Sequence, residues 1–284
     1  MGIALVGCDT ATSGKGVAPP PPADLGDRVR DYADALREDA PYRPPSPEQQ
    51  REFTAALAGL AATPSDADDR LRALGVAVAR AVDGPTGRPY ALVSTEPNAE
   101  RGWGLYVVDL SRGSRVAVQV PHPANDLGTP EIGVALFRRV PGAVLAVSGT
   151  HRRVAGGAGD VARRADSMFH AVAEAHSRHH LPQVQVHGFD DDSLPSADLV
   201  LSPGAGGDGP VLDEVADDLD GSMRVCRAWA EDCGDLEGRR NRQGAVAAEH
   251  GTLFAHVEIN RTTRDTPDRW EAVVRALGEA LDGV

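Results

Sequence analysis

The stretch LPQVQVHGFDDD, residues 181–192, decides how the rest of the chain is read. Gln183, Val184, Gln185 and Val186 alternate polar and apolar, the period-2 signature of a half-buried strand. The alternation delivers His187 to the last strand position, where Gly188 and three aspartates open a loop. In open α/β folds, ligands bind outside the carboxyl ends of strands. His187 is therefore either a site residue or an ordinary loop histidine, and the surrounding elements decide between the two.

Downstream, ADLVLSP (197–203), MRVCRA (223–228) and LFAHVEIN (253–260) read as strands, and PVLDEVADDL (210–219) and DRWEAVVRALGEAL (268–281) as helices. Upstream, EIGVALFRR (131–139) is helical, AVLAVSG (143–149) is a strand, and residues 160–180 contain a helix. This alternation predicts an α/β fold with a mixed, mostly parallel sheet flanked by helices. Before it, PYALVST (89–95), WGLYVVDL (103–110) and RVAVQVPH (115–122), with the turns DGPTG and SRGS, predict an antiparallel meander. Helices are expected over 25–39 and 47–62, the second opened by Ser46 as N-cap and Pro47 at N1. Residues 68–81 fit helix or strand. Residues 1–24 read as a disordered tether, and 25–284 as one domain whose N-terminal helical region spans 25–82.

The chain has 284 residues, 41% of them hydrophobic, which is ample for a large core. A formal net charge of -13 argues against a nucleic-acid partner, which needs a basic face. Arginine far outnumbers lysine, and with the Ala, Gly, Val and Asp richness this points to a high-GC bacterial genome. Cys226 and Cys233 stand seven apart: they are either a disulfide in an oxidising compartment or two free thiols. Cys8 lies in ALVGC, which resembles a bacterial lipobox, and a polar run follows it. No basic residue precedes Cys8, so this reading expects a leader further upstream. It makes the protein a secreted or lipid-anchored lipoprotein of the cell envelope. If the match is chance, the protein is cytoplasmic. No other segment approaches the ~20 apolar residues of a membrane span.

Three strand ends carry polar residues that a strand end does not need: His122 and Asp126 in QVPHPAND, His187, and His256, Glu258 and Asn260 in HVEIN. Leu253, Ala255, Val257 and Ile259 share one face of the last strand, and His256 and Glu258 the other. A carboxylate between Val257 and Ile259 is costly to bury unless paired or used. Zinc chemistry accounts for the set. His122, Asp126 and His187 would supply three protein ligands, leaving Glu258 to move protons as general base and acid.

From about residue 115 onward the chain resembles the N-formylglutamate amidohydrolase-like proteins, relatives of the zinc carboxypeptidases, with a phage poly-γ-glutamate hydrolase as a more distant cousin. The resemblance rests on QVPHP, where that family places its first zinc histidine. It rests also on MFHAVAEAHSRHHLPQVQVHGF, which ends at its last, and on HVEINRTTRD followed by a closing helix. It implies a zinc-dependent amidohydrolase or peptidase on a carboxypeptidase-like fold. The expected substrate is an acidic one with a peptide, γ-glutamyl or N-acyl amide bond. The pattern departs after His122, where HPAND stands in place of the deformylases' Ser-Gly. The carboxypeptidases' glutamate three residues on is missing too, so Asp126 is the nearer acidic ligand and Glu131 the alternative. N-formylglutamate itself is not the expected substrate.

The segment 148–170, rich in His, Arg, Asp and Gly, is a candidate substrate loop. Arg152 or Arg153 would clamp a substrate carboxylate, or else form a solvated turn. His170, Asn241, Gln243 and Arg261 complete the substrate-binding candidates, while His151 and His170 are alternatively groups that hold a ligand in place, or structural. Two other readings compete: an intracellular N-acyl amino acid deacylase, and a metal-free envelope binding protein on the same fold.

Overall fold

The computed structural model describes residues 24–283. Three helices open it: α1 (Leu25–Asp34), α2 (Pro47–Gly59) and α3 (Pro64–Ala73). In α2, Ser46 and Gln49 form a reciprocal capping box behind Pro47, as the N-cap reading requires. Helix α1 stops five residues short of its expected end. The Arg37 amide donates to the Asn98 side chain instead, and Pro41 disfavours a helical Ala40. The ambiguous stretch 68–81 divides between α3 and strand β1 (Ala77–Val82), so the N-terminal region is not wholly helical.

Strands β2 (Pro89–Ser94) and β3 (Leu105–Asp109) continue the antiparallel meander from β1. The expected third partner, β4 (Val116–Val120), does not pair with β3. After it, α4 (Thr129–Arg139) crosses back and places β5 (Ala143–Val147) parallel to β4, in the gap between β3 and β4. A helical turn α5 (Val154–Gly157), α6 (Met168–Arg178) and β6 (Gln183–Phe189) follow. Then come β7 (Leu199–Ser202), α7 (Pro210–Leu219), β8 (Val225–Arg227) and α8 (Arg242–Glu249). The chain closes with β9 (Phe254–Asn260), the turn α9 (Arg261–Arg264) and α10 (Pro267–Asp282).

The nine strands form one mixed sheet in the order β1-β2-β3-β5-β4-β6-β9-β7-β8. Its centre, β5-β4-β6-β9, is parallel. Antiparallel pairing flanks it, through β3 on one side and β7 on the other. Helices cover both faces. Val116, Val118 and Val120 pack with Ile132, Leu136 and Phe137 of α4 on one side, and Val144 and Ala146 with Met168, Phe169 and Val172 of α6 on the other. The connection from β4 runs outward to β5, and the next one returns past β4 to β6. That reversal opens a crevice at the carboxyl ends of β4 and β6. Among the described residues no helix is long and apolar enough to cross a membrane. Cys8 and the tether lie outside the described residues.

Candidate metal centre

Pro121 ends β4, and the chain turns at once: the amides of Asn125 and Asp126 both donate to the His122 carbonyl, at 3.0 and 2.9 Å. This turn folds Asp126 back beside His122. The Asp126 carbonyl accepts from the Thr129 hydroxyl at 2.6 Å, which locks the turn to the start of α4. His187 arrives from β6, where its pairing partner on β9 is Glu258. In parallel strands such partners share a face, so His187 and Glu258 stand side by side.

Nδ1 of His122 lies 3.3 Å from Asp126 Oδ2, and Nδ1 of His187 lies 3.5 Å from the same oxygen. The three ligand atoms all lie within 4.8 Å of one another, and all three residues are buried. Each histidine is held from behind. His122 Nε2 meets Asp160 Oδ1 at 2.9 Å, and His187 Nε2 meets Gln185 Oε1 at 2.7 Å. A histidine that donates its outer N–H in this way presents the other nitrogen's lone pair. Two lone pairs and a carboxylate oxygen converging in a buried space call for a cation between them. The donor set of two imidazoles and one carboxylate fits a metal ion of the zinc type.

Without a metal, protons take that part. Burial works against the His122 imidazolium, but the bonds from Asp126 and Asp160 outweigh it and raise its pKa. Burial also works to raise the Asp126 carboxyl, yet its two histidines hold it well below the usual range. Asp160, where burial again opposes, is lowered by His122 and Arg152. His187 is lowered, by burial first and then by neighbouring His256.

These groups line a cleft of ≈ 880 Å³, with Glu258, His256 and Arg264 on its floor and Arg152, Arg153, Arg163, Arg239 and Arg240 around it. Glu258 is 9% exposed, and its Oε2 has no partner. Its Oε1 lies 3.5 Å from His256 Nε2. Glu258 forms no ion pair with Arg261, which pairs instead with Asp265 at 2.6 Å and does not line the cleft. Glu131 is outside the ligand group, half-exposed in the first turn of α4. Arg152 reaches Asp160 at 3.2 Å, and Arg153, largely exposed, lies 3.7 Å from Glu38. His151 bonds Asn125 at 3.0 Å on the loop that carries Asp126.

Besides Arg261, two further substrate-binding candidates lie off the cleft. Gln243 is fully buried, so it does not reach the cleft. His170, buried on α6, lies 3.3 Å from the Gln243 amide and does not line it either. Asn241 does line the cleft, but its carboxamide oxygen caps α8 and its Nδ2 is bonded to Gln185. Its helix follows a polar segment whose glycine and arginines masked the amphipathic pattern of α8.

Sequence reasoning missed Asp160 and Arg264. Asp160 sits at the end of the glycine-rich loop after β5, and its only signal was an acid next to arginines. Arg264 is buried and spends its guanidinium on the backbone carbonyls of Ile259, Phe189 and Leu127, which ties the ends of β9 and β6 to the loop after β4. Gly188 makes this fit, because a Cβ there would lie 2.4 Å from the guanidinium carbon. Gly238, at φ +65°, lets the wall 234–240 pack on His256, whose ring a Cβ would meet at 2.6 Å. Cys226 and Cys233 are joined as a disulfide behind that wall.

No protein-family model and no curated protein matches the chain. Similar solved structures include a gene product of Agrobacterium tumefaciens, at 13% identity over 61% of this chain and 90% of that one, with a TM-score of 0.43. A bacteriophage poly-gamma-glutamate hydrolase aligns at 14% over 61% and 85%, with a TM-score of 0.42. An aspartoacylase family protein from Mesorhizobium loti aligns at 13% over 71% of each chain, with a TM-score of 0.41.

Proposed function

We propose that the chain is a zinc-dependent amidohydrolase that cleaves a peptide, γ-glutamyl or N-acyl amide bond in an acidic substrate. The observation that carries this reading is the convergence of His122 Nδ1, His187 Nδ1 and Asp126 Oδ2 beside a carboxylate oxygen of Glu258 that no protein group uses. His122, Asp126 and His187 would hold the zinc, which when bound acidifies water and polarises a carbonyl. Glu258 takes the proton of the attacking water at Oε2 and returns it to the leaving nitrogen. His256, 3.5 Å from Oε1, keeps that carboxylate turned toward the cleft. Arginines at the rim, Arg152 foremost, bind the acidic group of the substrate through charge-assisted bonds. The Cys226–Cys233 disulfide supports placing the enzyme in an oxidising compartment.

Elemental analysis of the purified protein, combined with hydrolysis of a panel of γ-glutamyl and N-acyl amides, tests this. One zinc per chain is expected, with hydrolysis lost on chelation and restored by zinc. His187→Ala should lose most of the metal. A protein that takes up no metal near neutral pH overturns the reading and favours a binding protein on this fold.

A further inference from the structure

Behind His187 lies a set of buried amides that the proposed reaction does not touch. Gln119, Gln183, Gln185 and Gln243 are each at most 1% exposed, and Asn241 is 5% exposed. Their polarity is dictated by backbone groups that cannot be turned round. The Val161 carbonyl can only accept, and it takes Gln243 Nε2 at 3.0 Å, so Gln243 Oε1 faces Gln185. The Ala173 carbonyl takes Gln183 Nε2 at 3.2 Å, which leaves Gln183 Oε1 to accept from Gln119 Nε2 and turns Gln119 Oε1 toward Gln185. Two acceptors therefore face one atom, Gln185 Nε2, at 2.7 and 3.2 Å. On its other side, the amides of Gln243 and Gly244 can only donate. They occupy Asn241 Oδ1 at 2.9 and 3.0 Å, so Asn241 Nδ2 points at Gln185 Oε1.

Gln185 has no second orientation. Flipping its amide would set its oxygen against two carboxamide oxygens and its NH₂ against that of Asn241, each a buried loss. Its Oε1 is thus an acceptor, and the atom it meets at 2.7 Å is His187 Nε2. That nitrogen must carry the hydrogen, and a neutral imidazole then has its lone pair on Nδ1, the atom facing Asp126.

We infer that Gln185 is a positioning residue: the buried amide network sets the tautomer of His187 and so selects the nitrogen it offers to a metal. The device differs from the one behind His122, where a carboxylate, Asp160, holds the ring. Neutral amides orient His187 without adding charge to the centre. The polarity starts at the Val161 carbonyl and at the backbone of α6 and of the α8 N-terminus, so the packing of these segments is passed to a ligand atom.

The tautomer part stands on the protein alone, and the affinity part rests on the proposed metal site. The full chain, metal-free, ¹⁵N-labelled at histidine and held near pH 8 so that ordinary imidazoles are neutral, is read by long-range ¹H–¹⁵N correlation. A single Nε2–H tautomer is expected for His187, and an Nδ1–H form or a mixture overturns the inference. Cobalt titration follows on Gln185→Leu, which is expected to lose the single tautomer and about 10- to 100-fold in cobalt affinity. A folded Gln185→Leu protein that keeps either the single tautomer or its cobalt affinity overturns the positioning role. Should it not fold, the wild-type spectrum still decides. A wild-type protein with the expected tautomer but no cobalt or zinc uptake would sink the metal site and leave the tautomer assignment standing.

Discussion

β6 and β9 are buried on both faces, and the two faces are made of opposite chemistry. One carries Val184, Val186, Ala255, Val257 and Ile259, all at 0% exposure within the larger core. The other carries Gln183, Gln185, His187, His256 and Glu258, none above 9%. Burial alone does not separate core from site. The apolar face gains free energy from every contact it makes. The polar face has to find a partner for every group, and it does so for the glutamines and for His187 Nε2. Its partnerless atoms, Glu258 Oε2 and His256 Nδ1, belong to residues that line the cleft. The five amides behind the site are all paired, whereas one carboxylate oxygen of Glu258 is not.

The comparison can be broken most forcefully on its apolar side. Ile259→Ala should cost about 2–5 kcal/mol of stability, while metal content and turnover per folded molecule stay near wild type. Urea unfolding run beside elemental analysis reads both, and a loss of metal in the folded variant would mean the faces are not independent.

On the polar side, Glu258→Gln keeps shape and removes proton transfer. Turnover is expected to fall by about 10²-fold or more with zinc retained and stability little changed. Near-normal turnover would remove Glu258 from the chemistry.

The smallest effect sharpens the contrast, because the titrating groups gather on the polar side, where the His122 ring lies 5.1 Å from that of His187. His122, although burial opposes it, has a raised pKa, so the folded protein holds that proton more tightly than the unfolded chain. The resulting stabilisation is complete below the unfolded value of about 6.5 and fades as pH rises through the folded one. Asp160 is lowered despite its burial, so its share is present above about pH 4 and is lost as pH falls through its folded value. The Tm difference between metal-free wild type and Asp160→Asn should therefore be widest between about pH 4 and 6.5 and narrow on both sides. A difference that does not change with pH would show that the His122–Asp160 contact is not ionic. Ile259→Ala should show no such window.

Local pattern carried far in this chain. Alternation placed β6 and β9, and helical spacing placed α4, α7 and α10. Proline and histidine at a strand end singled out His122. The candidate ligands His122, Asp126 and His187 come together as the reading required, since each sits where a strand of known direction stops. The period-2 reading of 181–192 also predicted a half-buried strand, and there it failed: α6 and α8 cover the polar face, so Gln183 and Gln185 are wholly buried. The clue was chemical, because a solvent-facing polar row more often carries charge than uncharged amides.

The sequence by itself determined which residues end up at strand termini, because strand direction and side-chain alternation are local properties of the backbone. It also limited the chemistry there to imidazoles and carboxylates. Only the tertiary structure decided that β5 slips between β3 and β4, that Asp160 backs His122 from 38 residues away, and that Arg264 enters the cleft floor while Arg261 does not. Those outcomes depend on which distant groups share a buried space. Burial makes each polar atom find a partner, and no window of the sequence states where that partner lies.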